Sequence, residues 1–197
     1  MFIFALLVAY MLGSLVFAII VSQYVGLADP RAHGSGNPGA NNLARKSKSL
    51  GIITLVLDMI KAFIALWIAF YLGCNHWQLS WVALAVVIGH CYPIFYNFSG
   101  GKGVATGLAT IIYLFPWLSL VSISTFILSI GVFRYVSLSC LLAAVTLLGL
   151  MFMLQYPWAI SLPIVIIVGL LFWRHQANIQ RLLAGNEPKL ELKVFNS

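Results

Sequence analysis

Apolar residues run along this chain in six long stretches, at 2 to 22, 50 to 72, 79 to 96, 104 to 133, 136 to 155 and 157 to 173. Polar residues collect at 23 to 49, 97 to 103 and 174 to 197. A hydrocarbon layer about 30 Å thick is crossed by about 20 apolar residues in a helix, so most of these stretches read as single membrane spans. The stretch 104 to 133 is different: as one helix it would be about 45 Å long, too long for one upright span and short for two. Pro116 stands near its middle. In the tail, Ile179, Leu182 and Leu183 recur at helical spacing beside Arg174 and Arg181, which predicts a short amphipathic helix on the membrane surface.

Composition excludes a soluble domain. Of 197 residues, 62% are hydrophobic and 8% are charged, against roughly 25% charged in ordinary soluble domains. The expected fold is all-α, a polytopic integral membrane protein, with residues 1–197 forming one membrane-embedded domain. Charge then decides the ambiguous stretch, because basic residues belong in cytoplasmic loops. Broken near Pro116, the chain has seven transmembrane helices, the N-terminus outside and the C-terminus cytoplasmic. Every basic residue except Lys61 then falls in cytoplasmic segments, namely loops 23–49, 97–103 and 134–137 and the tail 174–197. As one helix, the same stretch would put Arg134 and the basic tail outside. The net charge of +7 is thus an orientation signal before it is a sign of a nucleic-acid partner, and none is expected. The first apolar run is too long for a signal peptide and reads as a retained span. Cys74, Cys91 and Cys140 lie far apart with no metal-ligand spacing, and no metal site or cofactor is expected.

Two glycine-rich segments carry candidate chemistry. In Gly34-Ser-Gly-Asn-Pro-Gly-Ala-Asn-Asn42, the glycines at 34, 36 and 39 satisfy G-x-G-x-x-G, and Asp58 stands further on as a dinucleotide fingerprint would ask. That fingerprint requires a βαβ unit, whereas here a membrane span precedes the loop. The loop chemistry survives: glycines let backbone N–H groups converge on an anion, and Arg45 follows. Gly34, Gly36, Asn37, Gly39 and Asn41 are the substrate-binding candidates here. The second segment, Ser99-Gly-Gly-Lys-Gly-Val-Ala-Thr106, lacks the Walker spacing. It is a sharp turn presenting Lys102 between Gly101 and Gly103, which are read as binding positions for a closely approached anion. His175 and Asn178 share a helix face. Asp58 and Lys61, at i, i+3 inside a span, are expected to pair, with structure and function both open as the reason. The His followed five positions later by Asp that soluble acyltransferases use is absent after His33, His76, His90 and His175.

Taken together, the chain resembles the acyl-phosphate-dependent glycerol-3-phosphate acyltransferase family of bacteria, PlsY. The resemblance spans Gly13-Ser14, Asp29-Pro-Arg31, Gly34-Ser-Gly-Asn-Pro-Gly39, Asp58 with Lys61, Gly89-His90 with Pro93 and Phe95, Gly100-Gly-Lys-Gly-Val-Ala-Thr106, Arg134-Tyr-Val-Ser-Leu138, His175-x-x-Asn178-Ile, Arg181-Leu182, Gly185 and Glu187. Two positions depart from the family: Asn41 stands where Thr is usual, and Ala62 where Gly is usual. The resemblance implies transfer of a fatty acyl group from acyl phosphate to the 1-hydroxyl of sn-glycerol 3-phosphate. The products are lysophosphatidic acid and phosphate, made in the bacterial inner membrane with the active site at its cytoplasmic face. The residues carried over are Ser35, Arg45, Lys102, Ser137, His175 and Asn178. The expected partners are acyl phosphate, glycerol 3-phosphate and membrane lipids, with no obligatory protein partner.

The residues suit that chemistry. Both substrates are phosphate-bearing anions, and the glycine-rich loops carry cations and no carboxylate. An acyl phosphate has a good leaving group, so positioning and charge neutralisation supply the rate without a covalent nucleophile. A substrate phosphate is the candidate acceptor for the hydroxyl proton. The competing reading is a transporter or channel for a phosphate-bearing anion, whose site would lie near the midplane between repeated halves.

Overall fold

The computed structural model describes residues 1–190 and, among them, contains helices and no strand. The first apolar stretch is divided into α1 (Phe2–Gly13) and α2 (Phe17–Tyr24), bent by 41°. After the first polar loop come α3 (Ala40–Ala44) and α4 (Lys48–Tyr71), then α5 (His76–Cys91). Asn75 caps α5, in a reciprocal box with Gln78 that satisfies two N-terminal donors. The ambiguous stretch is indeed two helices, α6 (Val104–Leu114) and α7 (Pro116–Phe133). Pro116 occupies the first position of α7, where its missing N–H costs nothing, and it forces Phe115 out of helical geometry and so ends α6. α8 (Val136–Met153), α9 (Trp158–Arg174) and α10 (Gln176–Leu183) follow, with α10 bent 57° from α9 as the expected amphipathic tail helix.

Among the described residues, four helices are long and apolar enough to cross a membrane, or up to six spans if each bent pair is one. The seven-span expectation exceeds this because α6 has 11 residues, about 16 Å, roughly half a hydrocarbon core. Its direction is nonetheless fixed. The start of α6 and the start of α8 are tied to the same tail residues, described below, so α6 runs away from that end and α7 returns to it.

The packing follows membrane rules: bulky apolar side chains such as Ile52, Trp67, Phe70 and Leu128 face outward, while Ala5, Ala9, Ala62, Ala65, Ala69 and Ala83 are buried between helices. The closest approach is between α1 and α5. A Cβ on Gly13 would stand 2.2 Å from the Val86 carbonyl oxygen, and one on Gly89 2.3 Å from that of Tyr10. Only glycines allow this contact. The expected Asp58–Lys61 pair is present, both side chains being almost wholly buried, with Lys61 Nζ donating to Asp58 Oδ1 at 2.6 Å.

Candidate functional site

Hydrogen bonds gather three of the polar segments, the turn at 97–103, the start of α8 and the tail, at one end of the bundle. Between α5 and α6 the chain reverses sharply: Gly100 N–H donates to Cys91 O at 3.2 Å and Gly101 N–H to His90 O at 3.0 Å. Gly103, at φ +82°, starts α6 in a conformation that favours glycine. This turn presents Lys102, whose Nζ donates to Asn178 Oδ1 on α10. Asn178 Nδ2 donates to Glu187 Oε1 at 2.6 Å, and Ser137 Oγ, at the start of α8, donates to the same oxygen at 2.6 Å. Arg181 Nε donates to Glu187 Oε2 at 2.7 Å. Lys102, Ser137, Asn178 and Glu187 are therefore one connected network drawn from three loops.

His175 lies at the α9–α10 bend. It is only 3% exposed. Its Nδ1 lies 2.8 Å from Leu171 O. A carbonyl can only accept, so Nδ1 carries the proton and Nε2 keeps its lone pair. Burial pushes the imidazole down to about 4, with Lys102 and Arg174 adding to the effect, so the ring is neutral at neutral pH. Burial also lowers Lys102, to about 8, and the nearby Glu187 carboxylate opposes that shift. Burial raises Glu187, but its bonds from Ser137, Asn178 and Arg181 outweigh that and hold it below the usual carboxylate value.

The first loop is built separately. Asp29 accepts from Arg31 N–H at 2.8 Å and pairs with its guanidinium at 2.7 Å. Asn42, at 7% exposure, pins the glycine turn: its Nδ2 donates to Pro30 O at 2.8 Å and His33 O at 3.0 Å, and its Oδ1 accepts from Ser35 N–H at 3.1 Å. Gly34 and Gly36 have φ +60° and +68°, and a Cβ at Gly34 would stand 2.3 Å from Asn42 Oδ1. Ser35, Asn41 and Arg45 are exposed, and Asn37 and Gly39 are half-buried beside them. A cavity of about 180 Å³ lies against this loop, lined by residues that include Ser22, His33, Gly34, Asn42 and Arg45. Arg31 Nη1 donates to Tyr96 O at 3.2 Å and so connects the loop to the segment leading into the Lys102 turn. Among the described residues no hydrogen bond links Ser35 or Arg45 to the Lys102 network.

Three residues acquire positions that sequence reasoning had not assigned. Arg174, read only as an orientation charge, holds the Lys102 turn through Nε to Gly101 O at 3.0 Å and Nη2 to Gly100 O at 2.6 Å, and stacks on Tyr92. Glu187 organises the network although the loops had looked free of carboxylates. Asn42, one residue past the expected binding position Asn41, is the pin of its turn.

The family described as glycerol-3-phosphate acyltransferase matches residues 3–185 of this chain. The glycerol-3-phosphate acyltransferase of Burkholderia orbicola strain MC0-3 is 43% identical over 194 residues, covering 94% of this chain and 91% of the relative. That of Burkholderia lata is 44% identical over 193 residues, covering 94% and 89%. Among solved structures, PlsY (YgiH), an integral membrane glycerol 3-phosphate acyltransferase in its glycerol 3-phosphate form, superposes with a TM-score of 0.90 at 36% identity, over 96% of each chain. Its lysophosphatidic acid form gives 0.88 at 35% identity, over 96% of this chain and 95% of that one.

Proposed function

The chain belongs to the PlsY family of integral membrane glycerol-3-phosphate acyltransferases, and from that premise we propose that its acyl donor is an acyl phosphate, used at the cytoplasmic face of a bacterial inner membrane. Acyl transfer to the 1-hydroxyl of sn-glycerol 3-phosphate then yields lysophosphatidic acid and inorganic phosphate. The observation that carries this reading is the meeting of Lys102, Ser137, Asn178 and His175 at one end of the bundle, beside backbone of a glycine turn. An electropositive end built this way complements two phosphate groups.

The topology we propose has seven crossings, with α6 as the short one, the N-terminus outside and the motif segments in the cytoplasm. α6 is about 10 Å shorter than α7, so the Lys102 turn at its start is recessed toward the bilayer. A donor whose acyl chain lies among the spans brings its mixed anhydride to that depth.

In the mechanism, Lys102, Arg45 and the amides of Gly34 and Gly103 neutralise and orient phosphate oxygens, assisted by Ser35, Asn37, Asn41, Ser137 and Asn178, while Gly36, Gly39 and Gly101, whose N–H groups are taken by His33, Asn37 and His90 carbonyls, shape the turns and let the phosphate come close. The glycerol hydroxyl attacks the acyl carbonyl carbon, the C–O bond to phosphate breaks, and phosphate leaves with that electron pair. His175, held near 4 by burial, is a weaker base than a substrate phosphate with a second pKa of about 6. The hydroxyl proton accordingly passes to substrate phosphate, and Nε2 of His175 accepts a hydrogen bond from the neighbouring 2-hydroxyl, which orients the glycerol. The test is to incubate purified protein with labelled glycerol 3-phosphate and either palmitoyl phosphate or palmitoyl-CoA. Lysophosphatidic acid from palmitoyl phosphate alone supports the reading, and equal yield from the thioester overturns it.

A further inference from the structure

We propose that His90 is a positioning residue for Lys102, and that Asp58 and Lys61 act in the same relay by holding the His90 ring beneath the Gly100–Gly101 turn. The relay deepens the reading of Lys102 as a phosphate-binding group and rests on it.

Three side chains that the proposed mechanism leaves unused are buried together: Asp58, Lys61 and His90 are 1%, 2% and 3% exposed. Ionisable groups this deep in a membrane protein are rare and call for a purpose. Lys61 Nζ has three acceptors, Leu15 O at 2.6 Å, Asp58 Oδ1 at 2.6 Å and His90 Nδ1 at 2.9 Å. An ammonium has three donors, so this set is complete with Nδ1 of His90 as an acceptor. The tautomer then carries its proton on Nε2, the atom that faces the turn. Leu15 lies in the break between α1 and α2, so the same ammonium joins three elements of the bundle.

The turn sits directly on this ring. A Cβ on Gly101 would stand 2.1 Å from His90 Nε2, and one on Gly100 would stand 2.1 Å from the His90 carbonyl oxygen. That carbonyl also accepts the Gly101 N–H. On the other side, Arg174 grips the carbonyl oxygens of Gly100 and Gly101. The turn is clamped between Arg174 and the His90 ring, and Lys102 is the next residue. The direction in which Lys102 leaves the clamp determines whether its ammonium reaches Asn178 and the space shared with Ser137, His175, Arg181 and Glu187.

The experiment uses the full-length protein in detergent and follows amine labelling of Lys102 against pH by peptide mass spectrometry, alongside steady-state kinetics. Two variants carry it, His90→Ala and Asp58→Leu/Lys61→Met, the second replacing the buried ion pair by an apolar pair, and the thermal unfolding of each is recorded beside the labelling. In the wild type the labelling midpoint is expected at about 8, where burial holds Lys102. With the seat removed, Lys102 swings toward water. Its midpoint then rises by about one unit or more toward the ordinary lysine range, and kcat/KM falls on the order of 100-fold. A purely structural role would lower thermal stability without moving the midpoint of this one lysine. Unchanged midpoint and kcat/KM in variants that unfold at the wild-type temperature overturn the relay, even if Lys102→Ala is inactive. A shifted midpoint together with a fully active Lys102→Ala leaves the relay standing and overturns the phosphate-binding reading of Lys102.

Discussion

Replacing Glu187 by Gln keeps the side chain's shape and removes the charge around which the tail, α8 and the Lys102 turn are assembled. Two of its three bonds, from Ser137 and Asn178, are buried and 2.6 Å long. Changing such an acceptor from charged to neutral costs about 1 kcal/mol each. The third partner, Arg181, is 39% exposed, and the new amide would point a donor at its Nε, at a cost of about 0.5 kcal/mol. The total is about 2 to 3 kcal/mol, equivalent to a roughly 30- to 150-fold loss in kcat/KM if it falls on the transition state. A second signature concerns Lys102, whose ammonium Glu187 supports. Without that carboxylate the lysine titrates lower still, so the alkaline limb of the pH–rate profile moves to lower pH. Lysophosphatidic acid formation, measured against glycerol 3-phosphate concentration and pH, reads both effects. Wild-type kcat/KM with an unmoved alkaline limb in Glu187→Gln would mean that this carboxylate neither assembles the site nor supports the Lys102 ammonium.

Other expectations follow from single contacts. Asn42→Ala removes three hydrogen bonds that pin the first glycine turn and should destabilise the loop by about 2 to 3 kcal/mol, seen as a raised KM for a phosphate substrate and faster proteolysis at His33 to Asn37. Gly13→Ala places a methyl 2.2 Å from the Val86 carbonyl oxygen, so thermal unfolding in detergent should show a loss of about 1 to 3 kcal/mol. His175 titrates at about 4 in the folded chain against an ordinary 6.5, so the unfolded chain binds more protons between these values. Its contribution to stability is therefore complete above pH 6.5 and is lost as pH falls toward about 4. Stability against pH for His175→Gln should lack that slope.

What could be read from the sequence was what repeats locally. The six apolar stretches and the break at Pro116 follow from hydropathy and from proline's missing donor. The break after Gly13 was not legible, because no proline marks it and the carbonyl it frees, Leu15 O, finds its partner in Lys61 of another helix. Lys102 and Asn178 were both candidates from their neighbours, but 76 positions separate them and their bond exists only in the fold. The Asp58–Lys61 pair was readable from its i, i+3 spacing, whereas the third member, His90, comes from the next helix. Glu187, named in the resemblance, and Arg174 were given no place in the site for one reason: a charge in a polar tail has no local sign distinguishing a buried partner from a solvated one. Glu191 and Lys193 of that tail lie outside the described residues.

Acyl transfer at this end of the bundle depends most on Lys102 as a phosphate-binding cation. Steady-state formation of lysophosphatidic acid from palmitoyl phosphate and glycerol 3-phosphate by folded Lys102→Ala tests it most directly. Its kcat/KM should lie at least about 100-fold below wild type, the scale lost when a preorganised electrostatic contact to a reacting group is removed. A Lys102→Ala protein that matches the wild type would contradict it.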